Sequence, residues 1–491
     1  MAVKIGERLA GIFERNSART LLWDEINERS YTYQEVLDRA VLLAWRLSEL
    51  GAKSGDKIGL CLPNGANFLI SYISCLAADF TAVPVNILTG ARDREFVVNN
   101  AGFKILIDSE STKHFVPERS ELIRLTLTED CFSATASFME PFSQLEDDSV
   151  ISIHFTSGTT GLPKGVCHFA KGLIENASDF NAVHGASSDS NFLHVMPMGY
   201  MAGYLNTFIC PLMAEGSVTI APMFDAASLL RFWEPVLKRE ANVFWLSPTM
   251  LASLAKLSRD ERGLKYCKGR RPQIFVGTAP LAQATRKAFE DRFQLKVFES
   301  YGLSELLLIS AQDESDQDRS VGRPLPRVEL TLAEDGEIMV RTPYLAAGYL
   351  DTANGNPELL PRDYLFPTGD IGELSDERSI TITGRKKDLI IKGGVNISPR
   401  AVEETILLYP GVKQVAVLGI PHEFYGEDVV AALMLDDDLE LASILSGLKE
   451  FCRGRLSASE LPSRFVQLEQ FPATSTGKIQ KGLIKELVMK A

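Results

Sequence analysis

The spacing of apolar positions changes repeatedly along the chain, and each change marks a new element. Within residues 31–50, Val36, Ala40, Leu43 and Leu47 recur at steps of three or four, which is one face of an amphipathic helix. The run 57–63, KIGLCLP, is short and apolar and predicts a buried strand. Residues 67–80 predict a helix, and residues 81–86 and 104–108 predict two further strands. Alternation of this kind predicts an α/β fold with largely parallel sheets. Near residue 320 the punctuation changes to short strands separated by Gly, Pro and Asp-Gly turns, which predicts a small β-rich subdomain. A fresh α+β pattern starts at about 386, with a helix over 398–410 that has Pro399 near its start and a strand over 412–420. The domain boundary is placed close to Arg385–Lys387. It divides the chain into a large N-terminal α/β domain, 1–386, and a small α+β C-terminal domain, 387–491.

A length of 491 residues also favours two or more lobes. Hydrophobic residues make up 45% and charged residues 23%, an ordinary globular balance. The net charge of −13 argues against a general nucleic-acid or anionic-membrane binder, and still allows local basic sites for phosphates. The seven cysteines are widely spaced with no C-x-x-C pair, which fits reduced thiols better than a disulfide framework or a zinc site. The N-terminus carries charges throughout, without the apolar core of a signal peptide. No apolar run reaches the roughly 18 residues of a membrane span. These features point to the cytoplasm.

The most informative stretch is 151–166. A short apolar strand runs into Thr156-Ser157-Gly158-Thr159-Thr160-Gly161-Leu162-Pro163-Lys164-Gly165. Its glycines bend tightly and leave backbone N–H groups exposed, its hydroxyls add donors, and Lys164 adds a positive charge. Together they make an anion cradle suited to polyphosphate. The pattern is not a Walker loop, because Pro163 precedes the lysine and no Gly-Lys-Ser/Thr follows. Composition alone does not separate this cradle from a mobile surface loop.

The ten-residue string does. It resembles the signature loop of the adenylate-forming superfamily, which includes acyl- and aryl-CoA synthetases, firefly luciferase and peptide-synthetase adenylation domains. The resemblance implies that the loop wraps the β- and γ-phosphates of ATP. Further segments follow in the family's order. Gly277-Thr278-Ala279-Pro280 resembles the turn that lines the adenine. Ser300-Tyr301-Gly302-Leu303-Ser304-Glu305 resembles the Tyr-Gly-x-Thr-Glu motif, with Ser304 in place of the usual threonine. A tyrosine ring can stack on adenine, a hydroxyl can bond the α-phosphate or the acyl carboxylate, and a carboxylate can hold Mg²⁺ through oxygen. A solvated helix-start carboxylate is the plain alternative for Glu305.

Thr368-Gly369-Asp370 resembles the triplet whose aspartate accepts from the ribose hydroxyls. Gly384-Arg385-Lys386-Lys387-Asp388 resembles the segment with a ribose- or phosphate-contacting arginine, Arg385, and puts Lys387 at the hinge position. Lys392-Gly393-Gly394 resembles the stretch that lets pantetheine approach the backbone in CoA ligases, because glycine leaves a narrow tunnel open. Residues 472–479 resemble the C-terminal motif that carries the catalytic lysine, here Lys478, with Ala473 in place of the usual basic residue. The resemblance spans roughly residues 30 to 481.

The resemblance implies an AMP-forming acid–thiol ligase using ATP, Mg²⁺ and coenzyme A. The acid first attacks the α-phosphorus of ATP. Both partners are anionic, so catalysis is expected to rest on positioning and cationic stabilisation, from Lys164, Lys478 and Mg²⁺ on Glu305. The C-terminal domain is then expected to move, so that Lys478 leaves and a thiol enters. The acid pocket is expected along 194–210, with Tyr200, Met201 and Gly203, and at Gly277 and Gly302. Met201 stands where amino-acid-activating relatives usually carry an Asp, which leans towards an uncharged acyl or aryl group. Met196, Met198 and Met201 fit an adaptable apolar wall and a plain core equally well. A carrier-protein phosphopantetheine is the alternative acceptor, and a non-catalytic nucleotide-binding scaffold is the alternative class.

Overall fold

The computed structural model describes residues 3–133, 139–156, 163–316, 319–472 and 479–490. Among them the strands form four sheets. The largest has nine strands in the order Arg323–Pro324, Leu307–Ala311, Val297–Leu303, Gln273–Val276, Val243–Leu246, Asn191–His194, Ser217–Ile220, Thr20–Asp24, Arg29–Thr32. From Val297–Leu303 through to Thr20–Asp24 every neighbour is parallel. The eight-stranded sheet is parallel from Ile123–Thr126 to Val150–Thr156, then antiparallel through Lys164–Phe169, Gly348–Leu350 and Pro357–Leu359. Parallel strands flanked by helices are buried on both faces, which is why they read as continuous apolar runs. Every residue of Thr81–Pro84, Ile105–Asp108 and Val243–Leu246 is buried.

The elements read from apolar spacing are present with small shifts at their ends. The first predicted helix runs Tyr33–Glu49 and buries the expected stripe of Val36, Ala40, Leu43 and Leu47. It begins where it does because Thr32 caps it: Oγ1 accepts from the Glu35 N–H at 3.1 Å, and Glu35 Oε2 accepts from the Thr32 N–H at 2.7 Å. The β-rich stretch past residue 320 serves several sheets. Glu329–Leu332 and Glu337–Arg341 join Phe366–Leu374 and Ile380–Arg385 in a four-stranded antiparallel sheet, and Gly348–Leu350 extends the eight-stranded one.

The small C-terminal unit is built on the long hairpin Val412–His422 and Gly426–Leu435. Alternate residues of this hairpin face opposite ways. Val415, Val417, Val429, Ala431 and Leu433 pack with Val402, Ile406, Leu448 and Cys452 of the helices Pro399–Ile406 and Leu441–Arg453. Ala416, Leu418, Val430 and Ala432 pack with Ile484 and Val488 of the helix Lys481–Lys490. This unit therefore has a core of its own. All seven cysteines are buried and unpaired. No helix among the described residues is long and apolar enough to cross a membrane.

Four imidazoles lie inside the large unit, His184 among them, which burial holds down at about 4. His154 and His168 sit on the antiparallel pair Val150–Thr156 and Lys164–Phe169 with ring centroids 6.2 Å apart, and His194 ends a central strand. Burial disfavours their charged forms: His168 is held down at about 4, His194 at about 3, and His154 well below its ordinary value. Below pH 6.5 the unfolded chain takes up protons that the folded chain refuses. The stability is therefore complete above about pH 6.5 and is lost as pH falls towards 4, by up to about 1.4 kcal/mol per pH unit for each imidazole. Denaturant midpoints should fall steadily between about pH 7 and pH 5.5, before most carboxylates titrate. A flat profile across that window would contradict neutral buried histidines.

Candidate functional site

The parallel strands of the nine-stranded sheet deliver the motif segments to one edge. The C-terminal ends of Asn191–His194, Gln273–Val276 and Val297–Leu303 lead into residues 195–204, 277–282 and 304–306. Strand order also reverses beside Asn191–His194: Ser217–Ile220 lies on one side of it and Val243–Leu246 on the other. In open α/β sheets such a reversal leaves a crevice at the carboxyl ends of the strands, where ligands bind. The segment carrying Tyr200, Met201 and Gly203 starts from that point.

Tyr301, Asp370 and Arg385 meet. The Tyr301 hydroxyl donates to Asp370 Oδ2 at 2.8 Å, and Arg385 Nε donates to Asp370 Oδ1 at 2.8 Å. Asp370 and Arg385 are direct partners across the antiparallel strands Phe366–Leu374 and Ile380–Arg385. The Asp370 carboxylate is almost wholly buried while the Arg385 side chain is 40% exposed, so the arginine can also reach an outside anion. The turn into Asp370 is held as well. Gly369 takes φ +72°, its N–H donates to Glu337 Oε1 at 2.9 Å, and the Asp370 N–H donates to Thr368 Oγ1 at 3.1 Å. Glu337 in turn pairs with Lys386 at 2.7 Å.

Lys164, Glu305 and Tyr349 form a second group. Lys164 opens its strand directly opposite Thr156, so the strand register fixes its backbone. Its ammonium lies 5.7 Å from the centroid of the Tyr349 ring, and the Tyr349 hydroxyl donates to Glu305 Oε1 at 2.9 Å. Glu305 is not at a helix start. It lies in the turn between the antiparallel strands Val297–Leu303 and Leu307–Ala311, which removes the helix-dipole alternative. His168 Nε2–H donates to the carbonyl of Ser304 at 2.7 Å, and the Ala346 N–H donates to the carbonyl of Glu305 at 2.8 Å. Sequence reasoning missed Tyr349 and His168. Tyr349 lies 44 residues from Glu305 in a strand of the other sheet, and no local spacing announces it.

Three candidate glycines answer to packing. A Cβ at Gly302 would fall on the Leu307 carbonyl oxygen, one at Gly203 on the Pro197 carbonyl oxygen, and one at Gly277 2.7 Å from Ser300 Oγ. Ser300 Oγ donates to the carbonyl of Val276 at 3.3 Å, which ties the strand Val297–Leu303 to the residue just before the turn 277–279. Thr278, before Ala279, takes φ +74°, a left-handed conformation costly for a β-branched residue. Outliers of this kind cluster at ligand sites. Tyr200 is half-buried ahead of the one-turn helix Met201–Tyr204. Met196, Met198 and Met201 are buried in the main core, and Met198 Sδ accepts from the Gly65 N–H at 3.3 Å. All three pack in the core, with Met201 next to the half-buried Tyr200.

Gly393 and Gly394 have φ of +59° and +82° and connect Lys392 to its strand partner Val395. A two-residue hairpin of this kind requires positive φ at both positions, so the turn itself explains the glycine pair. Lys387 is exposed in a single 3₁₀ turn, Lys386–Asp388, between the four-stranded and C-terminal sheets. Ser157, Gly158, Thr159, Thr160, Gly161 and Lys478 lie outside the described residues. Among the described residues no cluster of three His, Cys, Asp or Glu side chains is placed to hold a metal. Glu305, with one oxygen engaged by Tyr349, fits the habit of Mg²⁺, which takes one or two carboxylates and otherwise phosphates and water.

The chain matches two family models, described as AMP-binding enzyme over residues 13–350 and AMP-binding enzyme C-terminal domain over residues 401–478. It is 27% identical to the long-chain-fatty-acid–CoA ligase FadD13 of Mycobacterium tuberculosis, over 93% of this chain and 92% of that protein. It is 27% identical to the oxalate–CoA ligase of Arabidopsis thaliana, over 90% of each chain. Its fold matches the crystal structure of ATP-bound MatB from Rhodopseudomonas palustris with a TM-score of 0.87 at 23% identity, over 99% of both chains.

Gly302→Ala should force the hairpin apart at Leu307 and lower stability by about 1–3 kcal/mol. Chemical denaturation with circular dichroism checks this, and an unchanged midpoint would mean that the hairpin backbone yields freely there.

Proposed function

We propose, from the premise that this chain belongs to the AMP-binding enzyme family, that it is an AMP-forming carboxylate–CoA ligase. The single observation that carries this reading is the pairing of two groups across one hairpin: Tyr301–Asp370–Arg385 and Lys164–Tyr349–Glu305. The first offers an aromatic ring, a buried acceptor and a cation, which suits a base, a ribose and a phosphate. The second offers an ammonium and a carboxylate, which suits a polyphosphate with its magnesium. Between them Ser304 presents a hydroxyl where the α-phosphate would lie.

The first step is attack of the acid's carboxylate oxygen on the α-phosphorus, with pyrophosphate leaving. Lys164 neutralises the leaving group, and Glu305 would hold Mg²⁺, which when bound spreads the same negative charge. Asp370 orients the ribose, Arg385 braces it, and the turn 277–279 lines the adenine. Lys478 bridges the carboxylate and the α-phosphate. In the second step a thiol attacks the acyl carbonyl and AMP leaves.

CoA is the favoured acceptor because the curated relatives are named as CoA ligases. The Gly393–Gly394 pair adds little to that choice, since the hairpin turn accounts for it. The acid enters along 194–210 beside Tyr200 and Met201, a segment whose apolar lining suits an uncharged acyl or aryl group. The hinge is Lys387, and seven buried thiols suit a cytoplasmic enzyme.

A pyrophosphate-exchange screen over fatty, short-chain and aryl acids tests the reading, and no exchange with any acid would leave a nucleotide-binding scaffold instead. Lys478→Ala should lower adenylate formation by at least about a hundredfold while sparing thioester formation from a supplied acyl-adenylate. Retention of both activities would remove Lys478 from the site. Lys387→Pro should slow the thioester step and leave adenylation near native. Equal loss of both steps in single-turnover assays would place the hinge elsewhere.

A further inference from the structure

Directly beneath these turns lies a buried charged network that the reaction scheme does not use. Arg286 is 1% exposed, in the helix Gln283–Phe293 that follows the turn 277–282. Its Nη1 donates to the carbonyl of Val297 at 2.6 Å. Its Nη2 donates to Glu299 Oε1 at 2.6 Å and to Gln312 Oε1 at 2.9 Å. Gln312 Oε1 also accepts from the Glu299 N–H at 2.8 Å, and the Gln312 N–H donates to the Glu299 carbonyl at 2.8 Å. Glu290 Oε1 holds the Val297 N–H at 2.9 Å. One guanidinium thus ties a helix to both strands of the hairpin that presents Ser300, Tyr301, Ser304 and Glu305.

The network is costly for a fold. A buried ion pair is often replaceable by apolar side chains of similar volume with no loss of stability. Its place gives it a use. Glu299 pairs with Val276 across the parallel strands, immediately before Ser300 on one strand and Gly277 on the other. Burial pushes the Glu299 carboxyl up, while Arg286, the Leu281 backbone N–H and Arg400 of the C-terminal unit favour its ionised form. The ion pair therefore brackets the turn 277–281, with Glu299 opposite Val276 just before it and Arg286 on the helix just after it.

We propose that Arg286 and Glu299 are positioning residues for the nucleotide: their ion pair sets the turn 277–281 against Ser300 and Tyr301, and so fixes the gap into which the adenine fits. This rests on the ligase reading only in taking ATP as the ligand. The contact acts through backbone turns, so it should be felt in ATP affinity and hardly in affinity for the acid.

The decisive variant is the paired apolar replacement Arg286→Met with Glu299→Leu in the full chain. It should unfold within a few degrees of native while its Kd for ATP, by calorimetry, rises about tenfold, with the KM for the acid changed less than about twofold. Native stability together with native ATP affinity would overturn the proposal, because the pair would then be a replaceable part of the core. Should the double variant fail to fold, Glu299→Gln keeps the shape and an acceptor for Arg286. It should also raise the Kd for ATP, and a native Kd there would overturn the proposal equally. Calorimetry needs no acid, so a native chain that binds ATP but exchanges pyrophosphate with no acid defeats the ligase reading alone. A native chain that does not bind ATP defeats both.

Discussion

The turn Ser304–Leu306 is bonded from outside its own hairpin at three points. His168 donates to the Ser304 carbonyl, Ala346 donates to the Glu305 carbonyl, and Tyr349 donates to the Glu305 side chain. His168 and Tyr349 belong to the eight-stranded sheet, whereas the hairpin belongs to the nine-stranded one. The two large sheets are therefore locked together at the turn where the proposed reaction is placed. The proposed site needs this constraint, because a hydroxyl and a carboxylate on a free turn would not hold a phosphate in line with an incoming carboxylate. A displacement of about 1 Å can cost about a hundredfold in rate.

The locking also explains a choice of protonation. A neutral His168 has one donor and one acceptor nitrogen, and the carbonyl of Ser304 takes the donor. Burial keeps the ring neutral, so it fixes the turn without adding charge beside Lys164. Charge is instead placed where a ligand can meet it. Arg385 is part-exposed over a buried Asp370, and Lys164 lies against the ring of Tyr349. Cations held this way keep part of their field for phosphate.

How much of this was legible in the sequence depended on distance along the chain. The loop 156–165, the turn 277–280, the segment 300–305 and the triplet 368–370 are contiguous strings, and each carries its chemistry within a few residues. Parallel strands were legible because burial on both faces makes them continuous apolar runs. Tyr349 and His168 were not legible, since they reach the turn across 44 and 136 residues through sheet topology. Arg286 reads as one more charged position in a polar helix, and only the fold reveals that it points inward. The glycines teach the opposite lesson. Gly393 and Gly394 looked like room for a ligand, and their positive φ angles show that a tight hairpin asks for them first. Gly203 and Gly302 likewise answer to a backbone carbonyl packed against them.

The two lysines proposed for catalysis, Lys164 and Lys478, differ in what determines their position. Lys164 is fixed by strand register to Thr156, inside the sheet that also holds Tyr349. Lys478 lies outside the described residues, but both of its flanks belong to the C-terminal unit. Phe471 is packed in that unit's core, the Gln480 N–H donates to the Pro472 carbonyl at 2.9 Å, and Lys481 pairs with Glu403 at 2.6 Å. The described contacts between that unit and the rest include Ser398 Oγ donating to the Thr383 carbonyl, beside an exposed 3₁₀ turn, and the charge of Arg400 acting on Glu299. A unit with its own core can reorient without unfolding. On the proposed reaction, one lysine stays with the phosphates for both half-reactions, while the other is withdrawn when a thiol needs its place.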